Sequence, residues 1–200
     1  QLERPGGSVA PDFKNVPPGQ KLGPVVLFGA YHKTGIVLMD ALLGYQAEAL
    51  GIERCQMSCY WRRPLCQEVK PESWKVIFEC NMHGSTVDML RNMSVGGFRA
   101  VHMIRDPFEL VTSAYVWHLH HRDGLFGATH SLEKMRSLST EEGLALVAGY
   151  ALEDWVPIMV EQYLQHQGAS DVLAVRMEDF TRSSASFGAA AARLYNHSAG

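Results

Sequence analysis

A chain of 200 residues with 46% hydrophobic and 20% charged content suffices for one α/β domain with a full core and is short for two. Lysine and arginine number 18 against 21 aspartate and glutamate, a formal charge of −3, which excludes a global attraction to nucleic acid or an anionic membrane and leaves any anion site to a few local groups. The longest apolar stretch, near residues 143–160, is interrupted by Glu153 and Asp154, so no membrane span is expected.

Residues 1–23 carry Pro5, Pro11, Pro17 and Pro18 among several glycines with no apolar period, and are expected to form a flexible linker or stem. The domain is expected over 24–200. "PVVLFG" (24–29) is a short continuous apolar run of the kind a strand buried on both faces shows, and "GIVLMDALLGYQAEALG" (35–51) has helical length and a terminal glycine. A weaker strand is expected in "ERCQMS" (53–58), a stronger one in "KVIFEC" (75–80), and a short helix in "STVDMLRNM" (85–93). "FRAVHMI" (98–104) predicts a strand, followed after Arg105 and Asp106 by a helix to about His121 with Pro107 at its first position.

Residues 122–138 read as an irregular excursion. Ser139 and Glu142 then have capping-box spacing for a long helix to about residue 167, which Pro157 is expected to kink. "DVLAVRMEDF" (171–180) supplies a last strand and "SASFGAAAARLY" (184–195) a last helix. Val76, Ile77, Phe78, Val101, Met103 and Ile104 belong to the expected core. Strands alternating with helices predict a three-layer α/β/α domain around a mainly parallel sheet. In such sheets ligands sit beyond the carboxyl ends of the strands.

Two strand ends carry the chemistry. At Tyr31 to Gly35 a strand passes into a helix whose first amides are unpaired and whose dipole is positive there, a natural phosphate cradle to which Lys33 adds a full charge. It is not a Walker A loop, because Gly29 lies four positions before Lys33 and His32, not glycine, precedes the lysine. After the later strand, Arg105 and, eight positions on, Ser113 could together grip a phosphate. The alternative is a local Arg105–Asp106 ion pair capping the helix, with Ser113 a packing residue.

Together, "HKTG" with Lys33, Thr34 and Gly35, "RDPFELVTSAY" with Arg105, Ser113 and Tyr115, and the closing "VLAVRMEDF" resemble sulfotransferases that use 3′-phosphoadenosine 5′-phosphosulfate (PAPS). The resemblance spans about residues 24–182. It implies a P-loop NTPase-like fold in which no metal is required and a sulfuryl group passes in line to a hydroxyl or amine of a carbohydrate or small acceptor. The implied cofactor-binding set is His32, Lys33, Thr34, Gly35, Ile36 and Val37 with Arg105 and Ser113; Lys33 is the implied catalytic cation at the bridging oxygen. His83, roughly twenty residues ahead of Arg105, is the implied base, with Glu79 as the alternative.

The chain departs from the family at Ile36 and Val37, where two hydroxyl residues are usual, and lacks the glycine- and lysine-rich closing loop of cytosolic members. A chain truncated at the carboxyl end, or kinship with the Golgi-type branch, accounts for the second departure. Two other readings stay open: a catalytically impaired nucleotide- or acceptor-binding relative, and a P-loop kinase or nucleotide hydrolase, which would need magnesium.

Secondary signals are weaker. Cys55, Cys59, Cys66 and Cys80 suit one or two disulfides or buried thiols, and lack the second ligand pair of a zinc site. Asn-x-Ser sequons stand at Asn92 and Asn196. The resemblance favours the Golgi lumen, with the cytoplasm as alternative. His118 and His121, three apart on a helix, invite a metal reading that no further ligand completes, so no metal is expected. Trp61, Arg62 and Arg63 are candidates for touching an acceptor.

Overall fold

The computed structural model describes residues 19, 21–52, 54–57, 66, 75–121 and 129–199, the first three of the last stretch by backbone alone. Trp61, Arg62 and Arg63 lie outside these residues, as does most of the expected stem.

The elements alternate: β1 (Val25–Ala30), α1 (Ile36–Leu50), β2 (Arg54–Gln56), β3 (Val76–Cys80), α2 (Gly84–Met93), β4 (Phe98–Ile104) and α3 (Pro107–His120). Then come α4 (Thr129–Ser137), α5 (Thr140–Tyr150), a π-helical turn (Ala151–Trp155), α6 (Val156–Gln165), β5 (Val172–Arg176), α7 (Met177–Thr181) and α8 (Ser184–Ala199). The strands form one sheet in the order β2-β3-β1-β4-β5, and every pairing is parallel. β1 is therefore central, and the strand ends at Ala30, Cys80 and Ile104 open side by side.

Successive residues of a strand face opposite sides, so β1 feeds two cores. Val25, Leu27 and Tyr31 join α2, α3, α5 and α6 through Val87, Leu90, Leu110, Ala114, Val147 and Met159. Phe28 and Ala30 join α1 and α8 through Met39, Leu42, Leu43, Ala190 and Leu194. Of the expected core residues, Val76, Ile77, Phe78, Val101 and Met103 are buried, and Ile104 is half-buried at its strand end. Leu22 is buried too: its amide donates to the Met93 carbonyl at 2.9 Å and its carbonyl accepts from Val95 at 2.7 Å, so the chain joins the domain just before β1.

The expected helices form, with three differences. Thr129–Ser137 is helical where an irregular excursion was expected; among the side chains described there, Leu132 and Met135 are the buried ones, one turn apart, too few to show a period. The long helix after the Ser139–Glu142 capping box is two helices joined by the π turn. Pro157 has no N–H to donate to residue 153, and the turn just before it widens in place of a simple kink. The last strand stops at Arg176, and "MEDFT" turns back as α7. The stretch Thr140–Gln165 has the length and apolar content of a bilayer span, yet Val147, Ala151, Trp155, Met159 and Gln162 turn one face of it into the core.

Candidate functional site

The loop between β1 and α1 is held by its own residues. Thr34 is fully buried; its hydroxyl accepts from the Tyr31 amide at 2.7 Å and donates to the Tyr31 carbonyl at 2.9 Å. The Thr34 amide donates to that same carbonyl at 3.0 Å, so threonine closes the turn on itself. Lys33 takes φ 60° and Gly35 φ 99°, left-handed conformations that glycine adopts freely and lysine does not. Gly35 is the N-cap of α1 and no side chain caps that helix. The first bond back is from Met39 to the Gly35 carbonyl, 2.8 Å, so the Ile36, Val37 and Leu38 amides occupy the first turn, where a helix offers donors no partner. A Cβ on Gly35 would stand 2.5 Å from the Met103 sulfur and 2.6 Å from that of Met177.

β4 lies beside β1, and Arg105 crosses from its end to the same loop. Its Nη1 donates to the Lys33 carbonyl at 2.9 Å, and Nη2 is 3.7 Å from a Glu109 carboxylate oxygen. Asp106 caps α3 by accepting from the Phe108 and Glu109 amides. The capping half of the local alternative therefore forms, while the guanidinium turns to the neighbouring loop. The Asp106 amide donates to Glu178 at 2.9 Å, tying this corner to α7. Arg105, Glu109, Met177, Glu178, Thr181 and Arg182 line a cleft of about 320 Å³. Ser113 is half-buried on α3, and Tyr115 is buried against α5.

On the other flank, β3 carries the candidate bases. Glu79 stands in register with Gly29 of β1, and His102 of β4 stands opposite the same glycine; Met82 fills the space its side chain leaves. Glu79 has no exposed surface. One carboxylate oxygen accepts from the Thr86 hydroxyl at 3.0 Å, and the backbone N–H of His83 also donates to the group. Burial outweighs those donors and pushes its pKa up to about 8. Beside it, burial and the Glu79 charge raise the Tyr31 hydroxyl above its ordinary range, and that hydroxyl lies 3.2 Å from His102 Nδ1. His83 itself, the N-cap residue of α2, is partly solvent-accessible. Burial lowers its pKa against an opposing pull from Glu161, which favours the neutral imidazole a base requires.

Several residues at the site carry no obvious sequence signal. Asn81, at φ 56°, ties the β3 loop to the Lys33 loop: its amide donates to the Ala30 carbonyl at 2.6 Å and its Oδ1 accepts from the His32 amide at 3.3 Å. Asparagine at a strand end, a type that tolerates left-handed backbone, was the available clue. His32 is packed between α3 and the π turn, with its Nε2 3.3 Å from that of His118 and its ring centroid 4.0 Å from that of Trp155. The Lys33 ammonium lies 3.5 Å from the centroid of the Trp117 ring. His118 is buried, whereas His121 is exposed and stacked on Trp117, so the two histidines of the metal reading part company. Among the described residues no group of three or more histidine, cysteine, aspartate or glutamate side chains is placed to hold a metal.

Cys55 and Cys66 form a disulfide, and Cys80 is disulfide-bonded as well.

No protein-family model matches this chain, and no curated protein matches it in sequence. Among solved structures, a mouse sulfotransferase in complex with PAP is similar: 13% identical over 87% of this chain and 58% of that one, with a TM-score of 0.54. The chain thus spans less than two thirds of that protein's length. A gluconokinase from Sinorhizobium meliloti (15% identical, 88% and 98% covered, TM-score 0.40) and a retinol dehydratase in complex with androsterone and inactive cofactor PAP (13%, 86% and 59%, TM-score 0.43) are further away. At such identities what is shared is architecture, and the architecture of this chain is a sulfotransferase-like α/β fold.

Proposed function

We propose that this protein is a PAPS-dependent sulfotransferase acting on a hydroxyl of a carbohydrate or small acceptor. The observation that carries the reading is the 2.9 Å bond from Arg105 to the Lys33 carbonyl, which joins two basic strand-end loops over an uncapped helix N-terminus. The residues fit such a group: first-turn amides that no side chain caps, for a phosphate, and two cations beside them, Lys33 and Arg105. The fold likeness to a sulfotransferase in complex with PAP (adenosine 3′,5′-bisphosphate) supports it.

When bound, PAPS supplies an activated sulfuryl group on a phosphate leaving group. The Ile36, Val37 and Leu38 amides would hold the 5′-phosphate, and Arg105 and Ser113 would hold the 3′-phosphate. Lys33 would meet the negative charge that grows on the leaving phosphate oxygen of such a donor. His83 would take the acceptor's proton as the new sulfur–oxygen bond forms, with Glu79 holding the His83 backbone by accepting from its N–H. Disulfides at Cys55–Cys66 and at Cys80 support an oxidising compartment over the cytoplasm, and among such compartments the family resemblance favours the Golgi lumen.

A second reading, nucleotide binding without turnover, is favoured by one feature. The Thr34 hydroxyl is committed to Tyr31, and Ile36 and Val37 offer no hydroxyl in its place. Calorimetric titration with PAP in the absence of magnesium tests both. Binding is expected in the wild type and is weakened roughly ten- to a hundredfold by Lys33→Ala or Arg105→Ala, the usual effect of losing a charged hydrogen bond. Binding without sulfuryl transfer across an acceptor screen selects the second reading, and binding that requires magnesium selects a kinase.

A further inference from the structure

Trp117 of α3 presents an aromatic face to the Lys33 ammonium, which lies 3.5 Å from the ring centroid. The lysine arrives there from a left-handed backbone at φ 60°, with its carbonyl fixed by Arg105. The indole is itself held: the His121 ring stacks on it with centroids 3.5 Å apart and planes 5° apart. His121 Nδ1 lies 2.9 Å from the Trp117 carbonyl. Arg136 of α4 then donates to the carbonyls of His118 and His121 at 3.2 and 2.6 Å, fixing the end of α3. At 37% exposure, Trp117 keeps part of its ring at the surface beside the loop.

We propose that Trp117 is a positioning residue for Lys33, its indole face fixing the ammonium so that an anionic ligand meets a cation already in place. A lysine side chain has large rotamer freedom to lose when it is ordered. A cation held over a ring face still has N–H groups to direct at a phosphate oxygen, so the two contacts reinforce each other. Only the ligand arm of this assignment rests on the phosphosulfate reading of the loop; the contact itself does not.

Two experiments separate these. In protein labelled with carbon-13 at the lysine ε position, the Lys33 methylene signals are expected upfield of the other lysines through the indole ring current. Trp117→Leu should abolish that shift, and Trp117→Phe should keep part of it. In PAP titration, Trp117→Leu is expected to weaken binding about three- to tenfold, with Trp117→Phe between it and the wild type. In a Lys33→Ala background Trp117→Leu should have no further effect.

An unshifted Lys33 signal overturns the proposal. So does an equal loss from Trp117→Leu with and without Lys33, or tighter binding by Trp117→Leu. If the wild type fails to bind PAP, the phosphosulfate reading falls, and the Lys33 signal alone decides the role of Trp117.

Discussion

Thr34 illustrates how much a single hydroxyl decides at this site. Both its hydrogen bonds run to the backbone of Tyr31, so its work is to hold the loop closed while Lys33 sits in a conformation lysine disfavours. Thr34→Val keeps the shape and removes both bonds, leaving a buried amide short of an acceptor. Urea denaturation without ligand should show a loss of about 1 to 3 kcal/mol. Unchanged stability with weakened PAP binding would instead place the hydroxyl on the phosphate. The placement of Lys33, Gly35 and Arg105 at neighbouring strand ends was legible in the sequence from the strand-to-helix turns they sit in, whereas Thr34, expected on a phosphate, gives its hydroxyl to Tyr31. Asn81, Trp117 and Trp155 were not legible: each matters through a neighbour distant in the chain, and distance in the chain hides pairing.

Elements were legible in proportion to how much apolar pattern each one carries. β1 is a continuous apolar run, β3 and β4 are apolar runs interrupted by Glu79 and by Arg99 and His102, and the sequence places all three within a residue or two. β2 is three residues long, and among the described side chains of α4 Leu132 and Met135 are the buried ones, so neither has a period to read. The π turn has a cause, Pro157, but the form of the response depends on what Trp155 packs against. Where elements cross, small residues set the distance. A Cβ on Gly143 of α5 would lie 2.6 Å from Cε2 of Tyr115 on α3. Gly143→Ala should push these helices apart at a cost of about 1 to 3 kcal/mol, seen as a lowered Tm. Because α3 carries both Ser113 and Trp117, PAP affinity should fall with it; an unchanged Tm would mean that the Tyr115 ring swings aside freely.

At the level of the whole molecule, buried ionisable groups shape stability from both sides of neutrality. Glu79 has its pKa pushed up to about 8 from 4.5. Its neutral form suits the fold, and its contribution is present in full below about pH 4.5 and lost as pH rises through about 8. His102 goes the other way, from 6.5 down to about 4, so its contribution is present above about pH 6.5 and lost as pH falls through about 4. Burial lowers His83, His166 and His197 in the same direction. Maximum stability is therefore expected near pH 6.5. Glu79→Gln should remove the alkaline decline, worth about 2 kcal/mol between pH 6.5 and 8. A Tm-against-pH curve that Glu79→Gln leaves unaltered would show that Glu79 ionises freely in the fold.

The cysteines are distributed unevenly across the sheet. Cys55 lies in β2 and Cys80 ends β3, both bridged, while β1, β4 and β5 contain no cysteine. The molecule thus has a stapled side, which carries His83, and an unstapled side, which carries Lys33 and Arg105 and relies on packing and hydrogen bonds. A mild reductant should act on these two sides unequally. On the proposed sulfotransferase reading, transfer should fail at a dose that leaves PAP affinity nearly intact, and simultaneous loss of both would mean that the staples hold the sheet as one unit. On that reading, a change in redox conditions would uncouple capture of the donor from delivery to the acceptor.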